Sequence, residues 1–289
     1  MPQSTPELTI RRARASDMPA LLTFVADTYG KGAPFKHAAR HAWQYEENPY
    51  HPAPDSDPSI WLALDGAKVV GEIAVQDGML WVAGAPLPAG WIVDVMVHPE
   101  YRGLGLSHKI HDAVMQDRGV LITLTMAAAT RRVAERANCL TLGPTHQFIL
   151  PRRLSARTVR RFLAYRADTS KAARARLLRG FNATGIGPLM VAALGRLVAG
   201  WRRMRVPKGL PAGCRIVEVA RFEPSLNHLW EGARGEFPAI FERSVEFLNW
   251  RFVDVPELVY RRFVLEQDGV PRGYLVTRVG VEQELPLGV

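Results

Sequence analysis

The residues of this 289-residue chain with the plainest chemical capacity lie in one run, Val95-Met96-Val97-His98-Pro99-Glu100-Tyr101-Arg102-Gly103-Leu104-Gly105-Leu106-Ser107. An apolar strand leads into a tight turn, and the turn opens a helix. Glycines at 103 and 105 remove the Cβ atoms that would hold an anion away from the backbone. The first helical turn offers unpaired N–H groups at the positive end of a helix dipole, which suits a phosphate or pyrophosphate. Arg102, at the lip, adds charge. A lone Gly-x-Gly is commonly no more than a turn. This run also lacks the Gly-Lys-Ser/Thr of a Walker loop and the third glycine of a dinucleotide loop.

Asp94 is the one acid on the strand that feeds the turn. Strict alternation places it on the face opposite Trp91, Val93 and Val95. Two roles stay open for it: a base, or a buried and hydrogen-bonded structural carboxylate. His98 and His108 flank the glycine turn and read as surface residues. Two cysteines, Cys139 and Cys214, show no ligand spacing, so neither a metal site nor a disulfide framework is expected.

These residues need elements to hold them. A strand is expected over 8–14 and a helix over 15–29, with Ser16 as its N-cap and Met18, Leu21, Leu22 and Val25 on its apolar face. A second helix covers 35–47 and stops before Asn48-Pro49. Strands follow at 59–64 and 68–75, joined by an Asp65-Gly66 turn. Pro86 and Pro88 break the chain before a central strand at 91–97. A helix over 107–118 closes at Gly119. A strand over 120–125, a helix over 127–137 and a last strand over 147–150 complete a mixed α/β domain ending near residue 151.

The turn Arg102-Gly103-Leu104-Gly105-Leu106-Ser107, preceded by Val-x-x-Pro-Glu-Tyr-Arg, resembles motif A of the GNAT acetyltransferases, with Ser107 in place of the usual Gly or Ala. The element order around it is also similar, so the resemblance covers about residues 8–151. It implies a mixed, mostly antiparallel sheet flanked by helices, and acetyl-CoA as the acyl donor without a metal. It further implies that Val95, Met96 and Val97 pair with the pantetheine. Arg102, Gly103, Leu104, Gly105, Leu106 and Ser107 are then expected to hold the pyrophosphate. The reaction implied is acyl transfer to a small-molecule amine. The family's frequent Glu or His on the strand matches Trp91 or Val93, both apolar here, and its frequent Tyr matches Ala134. A catalytically inactive CoA-binding or structural protein is therefore the alternative to an N-acyltransferase.

Further on, Trp43-Gln44-Tyr45-Glu46-Glu47-Asn48-Pro49 and Trp250-Arg251-Phe252-Val253-Asp254-Val255-Pro256 share the pattern W-x-[Y/F]-x-x-x-P. Each precedes a strand, an Asp-Gly turn (Asp65-Gly66, Asp268-Gly269) and a glycine on the returning strand (Gly71, Gly273). This ordered repeat implies a second, partial GNAT-like unit over 211–289 with no glycine turn of its own. It serves as acceptor-side or dimer structure, or belongs to a longer tandem protein. The tandem layout resembles bacterial GNATs of polysaccharide or cell-envelope pathways, which implies an amino-sugar or envelope-precursor acceptor.

Between the domain at 1–151 and that unit lies a helical linker, 152–210, with a break around 180–188. From residue 152 to 208 there are fifteen Lys and Arg and one acid, Asp168, whereas the whole chain is +9, so the remainder is net negative. Leu189, Leu194, Leu197, Val198 and Trp201 share a helical face. The first reading is a hairpin packed by that face with solvated arginines. An anionic membrane surface comes second and nucleic acid last, since no aromatic platform is interleaved. The sequence has no basic and apolar leader and no uninterrupted apolar span. A cytoplasmic protein, peripheral to the inner face of the membrane if the second reading holds, is expected.

Overall fold

A computed structural model describes residues 8–29, 37–51, 56–124, 131–132, 134–135, 139–143, 155–168, 172–205 and 209–278. The chain divides into two compact units, one of residues 1–142 with 215–279 and one of 143–214 with 280–289.

The first unit begins with strand β1 (Leu8–Arg12), helix α1 (Met18–Tyr29) and a short helix α2 (Ala38–His41) that widens into a π turn at Ala42–Glu46. Strands β2 (Ile60–Asp65), β3 (Lys68–Val82) and β4 (Ala85–Val97) follow, then helix α3 (Leu106–Asp117) and strand β5 (Leu121–Ile122). The sheet order is β1-β2-β3-β4-β5, antiparallel except where β4 and β5 run parallel. Both faces are covered, which is why β2 and β3 read as nearly unbroken apolar runs. Leu21, Phe24 and Val25 of α1 pack on Ile60, Leu62 and Leu64. On the opposite face, Leu106, Ile110 and Val114, spaced four apart on α3, pack on Trp61, Ala63, Val70 and Ile73. Gly71 is small because α3 lies close: a Cβ there would stand 3.1 Å from Ile110 Cδ1.

The second unit contributes helices α4 (Ala156–Asp168), α5 (Ala172–Ala183) and α6 (Ile186–Arg205). Val159, Leu163 and Ala192 form its small core. Leu189, Leu194, Leu197, Val198 and Trp201 are all exposed, so their face does not pack as a hairpin interior. The helix break falls at residues 184–185.

The first unit then resumes with β6 (Cys214–Val219), α7 (Asn227–Ala233), β7 (Ala239–Phe241), α8 (Val245–Phe252), β8 (Arg261–Gln267) and β9 (Val270–Thr277). Strands β6, β8 and β9 make a separate three-stranded sheet over Phe222, Leu226, Val245 and Leu248. Strand β7 instead joins the first sheet, pairing Leu80 with Phe241 and Val82 with Ala239.

Several expectations need correcting. Ser16 does not cap α1; a 3-10 turn at Ala15–Asp17 precedes it, and the Asp17 carboxylate accepts the Arg14 N–H at 2.7 Å. Arg11 also grips that carboxylate, which holds Asp17 down at about 2. Pro86 and Pro88 do not interrupt the chain, because β4 runs through both. The Gly90 N–H points away from β3 to the Val120 carbonyl. Two and four residues earlier on a period-two strand, the proline nitrogens face the same outer side, where no ladder bond is lost. Gly119 is not left-handed; α3 ends at Asp117 with an extended Arg118. Arg118 then binds Asp77 Oδ1 at 3.0 Å and donates to Ser59 Oγ at 2.5 Å. The expected strand over 147–150 and most of the helix over 127–137 lie outside the described residues.

Candidate functional site

The glycine turn is held at both ends by residues around it. Leu106 is buried and pins the start of α3 into the core, so its side chain is structural and only its backbone is available to a ligand. Tyr101, in the 3-10 turn Pro99–Tyr101, donates its O–H to Asp65 Oδ2 at 2.6 Å, a bond to a carboxylate that raises the phenol's pKa. This ties the turn to the β2–β3 hairpin. Gly103 and Gly105 adopt φ of +85° and +72°, and Gly105 is the left-handed N-cap of α3. A Cβ on either would meet nothing within 4 Å, so both face open space in front of the helix. Arg102 is exposed and folds back, with Nε 3.3 Å from the Val97 carbonyl. Leu104 is half exposed and Ser107 half-buried. Of the three strand residues, Met96 is buried among α1 contacts, while Val95 and Val97 face α3.

Strand β4 carries a bulge that alternation from sequence does not anticipate. Ala74 pairs with Asp94 and Val75 with Ile92, so Val93 has no partner on β3. One extra residue reverses every side chain before it. Ala74 and Gln76 share a face of β3, and Gln76 pairs with Trp91. Trp91 therefore lies on the same face as Asp94, not opposite it, and Ile92 takes the face of Val95. Val93 is exposed at the bulge.

Asp94 is buried and accepts a hydrogen bond from the Tyr45 hydroxyl at 2.9 Å. On the same face of neighbouring β3 stands a second buried carboxylate, Glu72, opposite Met96. A narrow cleft reaches this pair between α1 and the α2 segment, lined by Leu22, Val25, His37, Arg40, His41, Gln44 and Tyr45. The His41 ring lies 4.6 Å from the Tyr45 ring. The Arg40 guanidinium sits 4.3 Å over Trp43, its pKa lowered by burial and then by Arg251. His37 Nε2 contacts the Glu257 carboxylate of the β6–β9 half. From that half, Phe241 also packs on Trp91 at 4.3 Å.

Two buried acids at the foot of a cleft can take a proton from an incoming group or attract a cationic one. The glycine turn, on the other end of the same strand, can hold an anion. Glu72 and Tyr45 were absent from the sequence candidates. Glu72 had a signal, as one of two acids, with Asp77, inside the apolar run of β3. Tyr45 was visible in the W-x-[Y/F] element but was read as part of a repeat. Ala134 is buried, and His98 and His108 make contacts with Glu100 and Asp112 outside the cleft.

A family model described as an acetyltransferase (GNAT) domain matches residues 9–136. No curated protein sequence matches the chain. Among solved structures, a conserved protein of unknown function from Enterococcus faecalis, titled a probable N-acyltransferase, is similar at 10% identity and a TM-score of 0.53. It covers 94% of this chain, which covers 55% of it. A GCN5-related N-acetyltransferase from Anabaena variabilis is similar at 12% identity and a TM-score of 0.50, with 93% of this chain and 54% of that one covered. The chain thus spans about half the length of these two proteins, and at such identities the likeness concerns the fold. A GNAT family N-acetyltransferase from Escherichia coli in complex with CoA matches at 20% identity and a TM-score of 0.35, over 46% of this chain and 71% of its own.

Proposed function

We propose, from the match of residues 9–136 to a GNAT acetyltransferase domain model, that the chain transfers an acetyl group from acetyl-CoA to a small-molecule amine. The observation that carries this reading is the placement of Asp94. It is a buried carboxylate, oriented by Tyr45, on the strand that runs into the left-handed glycine turn.

In this reading the backbone of Val95, Met96 and Val97 pairs with the pantetheine. The N–H groups from Gly103 to Ser107 cradle the pyrophosphate, with Arg102 alongside. The amine enters through the cleft under α1. Glu72 attracts its cationic form, which gives one proton to solvent to free the nitrogen lone pair, and Asp94 accepts the second proton as the neutral nitrogen attacks the thioester carbonyl. The new N–C bond forms, the C–S bond breaks, and CoA leaves as a thiolate that takes a proton from solvent. The bulge at Val93 leaves backbone groups outside the β3 ladder, next to the reacting carbon, where an N–H can stabilise the developing oxyanion. An amino sugar or envelope precursor is the acceptor class that suits two acids in a narrow polar cleft.

A second reading is favoured by one observation: the bond from Tyr45 also suits a structural carboxylate in a protein that binds CoA without turnover. Thiol release from acetyl-CoA over a panel of amines separates the two. An active enzyme releases thiol with some amine, and Asp94→Asn lowers kcat/KM by about 10²–10⁴-fold. Silence across amino sugars, polyamines and amino acids, with CoA binding intact, overturns the enzyme reading.

A further inference from the structure

Helix α6 turns outward the side that water disfavours. Its inward contacts come from small residues: Pro188 and Ala192 are buried, and Ala192 packs on Val159 and Leu163 of α4. Its large apolar residues face out. Ile186, Leu189, Met190, Leu194, Leu197 and Trp201 are between 50% and 71% exposed. At about 100° per residue these six fall within roughly 140° of the helix circumference, one continuous stripe. Leu177 and Phe181 of α5 add to the exposed apolar surface. An apolar surface of this extent marks an interaction site in a soluble chain.

The charge around the stripe names the partner. Arg160 of α4 and Arg179 of α5 line, with Asn182, a cleft of about 430 Å³ beside the start of α6. The region from 152 to 208 holds fifteen basic residues and one acid. Such a surface complements a layer of anionic headgroups. The same charge opposes stacking two copies of this unit face to face. Among the described residues no single helix is long and apolar enough to cross a membrane, and α5 and α6 meet at an 86° bend. Taken together the bent pair passes the length and composition test for a broken span; its one-sided apolar stripe and basic surroundings fit instead a helix lying along an interface.

We propose that the helical unit docks on an anionic lipid bilayer, with the α6 stripe at the acyl boundary and a headgroup phosphate between Arg160 and Arg179. The active-site chemistry is not part of this proposal. Its failure would leave the acyltransferase reading standing, and the reverse also holds.

The full chain is floated with phosphatidylcholine vesicles, with and without phosphatidylglycerol. Binding is expected only with the anionic lipid and falls as salt rises. Leu194→Glu with Leu197→Glu should reduce partitioning at least about tenfold by placing charge in the apolar stripe. Arg160→Glu with Arg179→Glu should remove the preference for phosphatidylglycerol. CoA binding, measured in parallel, should stay unchanged in both. If a variant misfolds, wild type still decides: bromine-labelled acyl chains should quench its tryptophan fluorescence, and Trp201→Phe should lose that quenching. No vesicle binding at low salt overturns the proposal, as does binding indifferent to every substitution. So does a concentration-dependent dimer that Leu194→Glu with Leu197→Glu abolishes.

Discussion

Trp43 and Trp250 exchange a reciprocal pair of hydrogen bonds: each indole N–H donates to the other's backbone carbonyl at 2.9 Å. Their rings stack with centroids 4.7 Å apart and planes 14° apart. The two residues are the leading tryptophans of the repeated W-x-[Y/F] element. The contact is reciprocal, each residue giving and receiving the same bond.

That contact should dominate stability between the halves of the first unit. Trp250→Ala is expected to cost about 3–5 kcal/mol in chemical denaturation, since it empties a buried site and orphans the Trp43 indole N–H. Trp43→Phe should cost less, and the double variant should show coupling of about 0.5–3 kcal/mol. Strict additivity would mean that the stacked pair is incidental.

Gly105 tests the donor assignment. Its φ of +72° strains any L side chain by roughly 1–2 kcal/mol, and the space before it is the proposed phosphate cradle. Gly105→Glu should abolish acetyl-CoA binding in calorimetry while the protein still melts cooperatively. Wild type should bind one CoA per chain, because Gly269 and Gly273 sit in and after the β8–β9 turn with no helix following among the described residues. Two equivalents, or unchanged affinity in the variant, would move the donor site elsewhere.

Asp94 and Glu72 should separate kinetically. Asp94→Asn should lower kcat with little change in the KM for acetyl-CoA. Glu72→Gln should mainly raise the KM for the amine, since its place is to attract a cation and not to take the proton. Steady-state kinetics with the acceptor found by thiol release checks this. Identical effects of the two changes on kcat would mean that the carboxylates act as a unit.

His111 gives a pH signature. It is buried on α3, its Nδ1 has no hydrogen-bond partner among the described residues, and desolvation lowers its pKa below the usual 6.5. Asp112 pulls it up and His108 pushes it down, both less strongly. The folded state thus releases this proton at a lower pH than the unfolded chain. Stability from the neutral ring is complete above about 6.5 and is lost as pH falls through the folded-state value. His111→Leu should flatten the fall in denaturation midpoint as pH drops below about 6.5.

The glycine turn and the helix after it were legible because local chemistry decides both: left-handed φ demands glycine, and Leu106, Ile110 and Val114 repeat every four residues. The tryptophan repeat was legible as a pattern but not as a contact, since 207 residues separate its members. Gly71 and Gly273 show the limit of such analogy. The first makes room for Ile110, whereas a Cβ at the second would meet nothing within 4 Å. The bulge at Val93 was hidden because it is a property of the β3–β4 register, and it put Trp91 on the wrong face. The convergence of Glu72, Tyr45 and Asp94 was hidden likewise, being made by three elements. Pro86 and Pro88 misled because their outer-edge position cannot be read from composition.

Strand β7 and Trp250 finish a sheet and a core whose other parts are made at the start of the chain, and this bears on how the protein is made in the cell. A ribosome adds about 5–20 residues per second, so Trp43 emerges roughly 10–40 s before its partner exists. During that interval the outer edge of β3 and the Trp43 indole have no cover. The nascent chain therefore passes through an adhesive stage that ends only once residue 250 has been made. Slowing elongation after residue 142 should lower the soluble yield, and supplying residues 215–279 as a separate polypeptide should restore part of it.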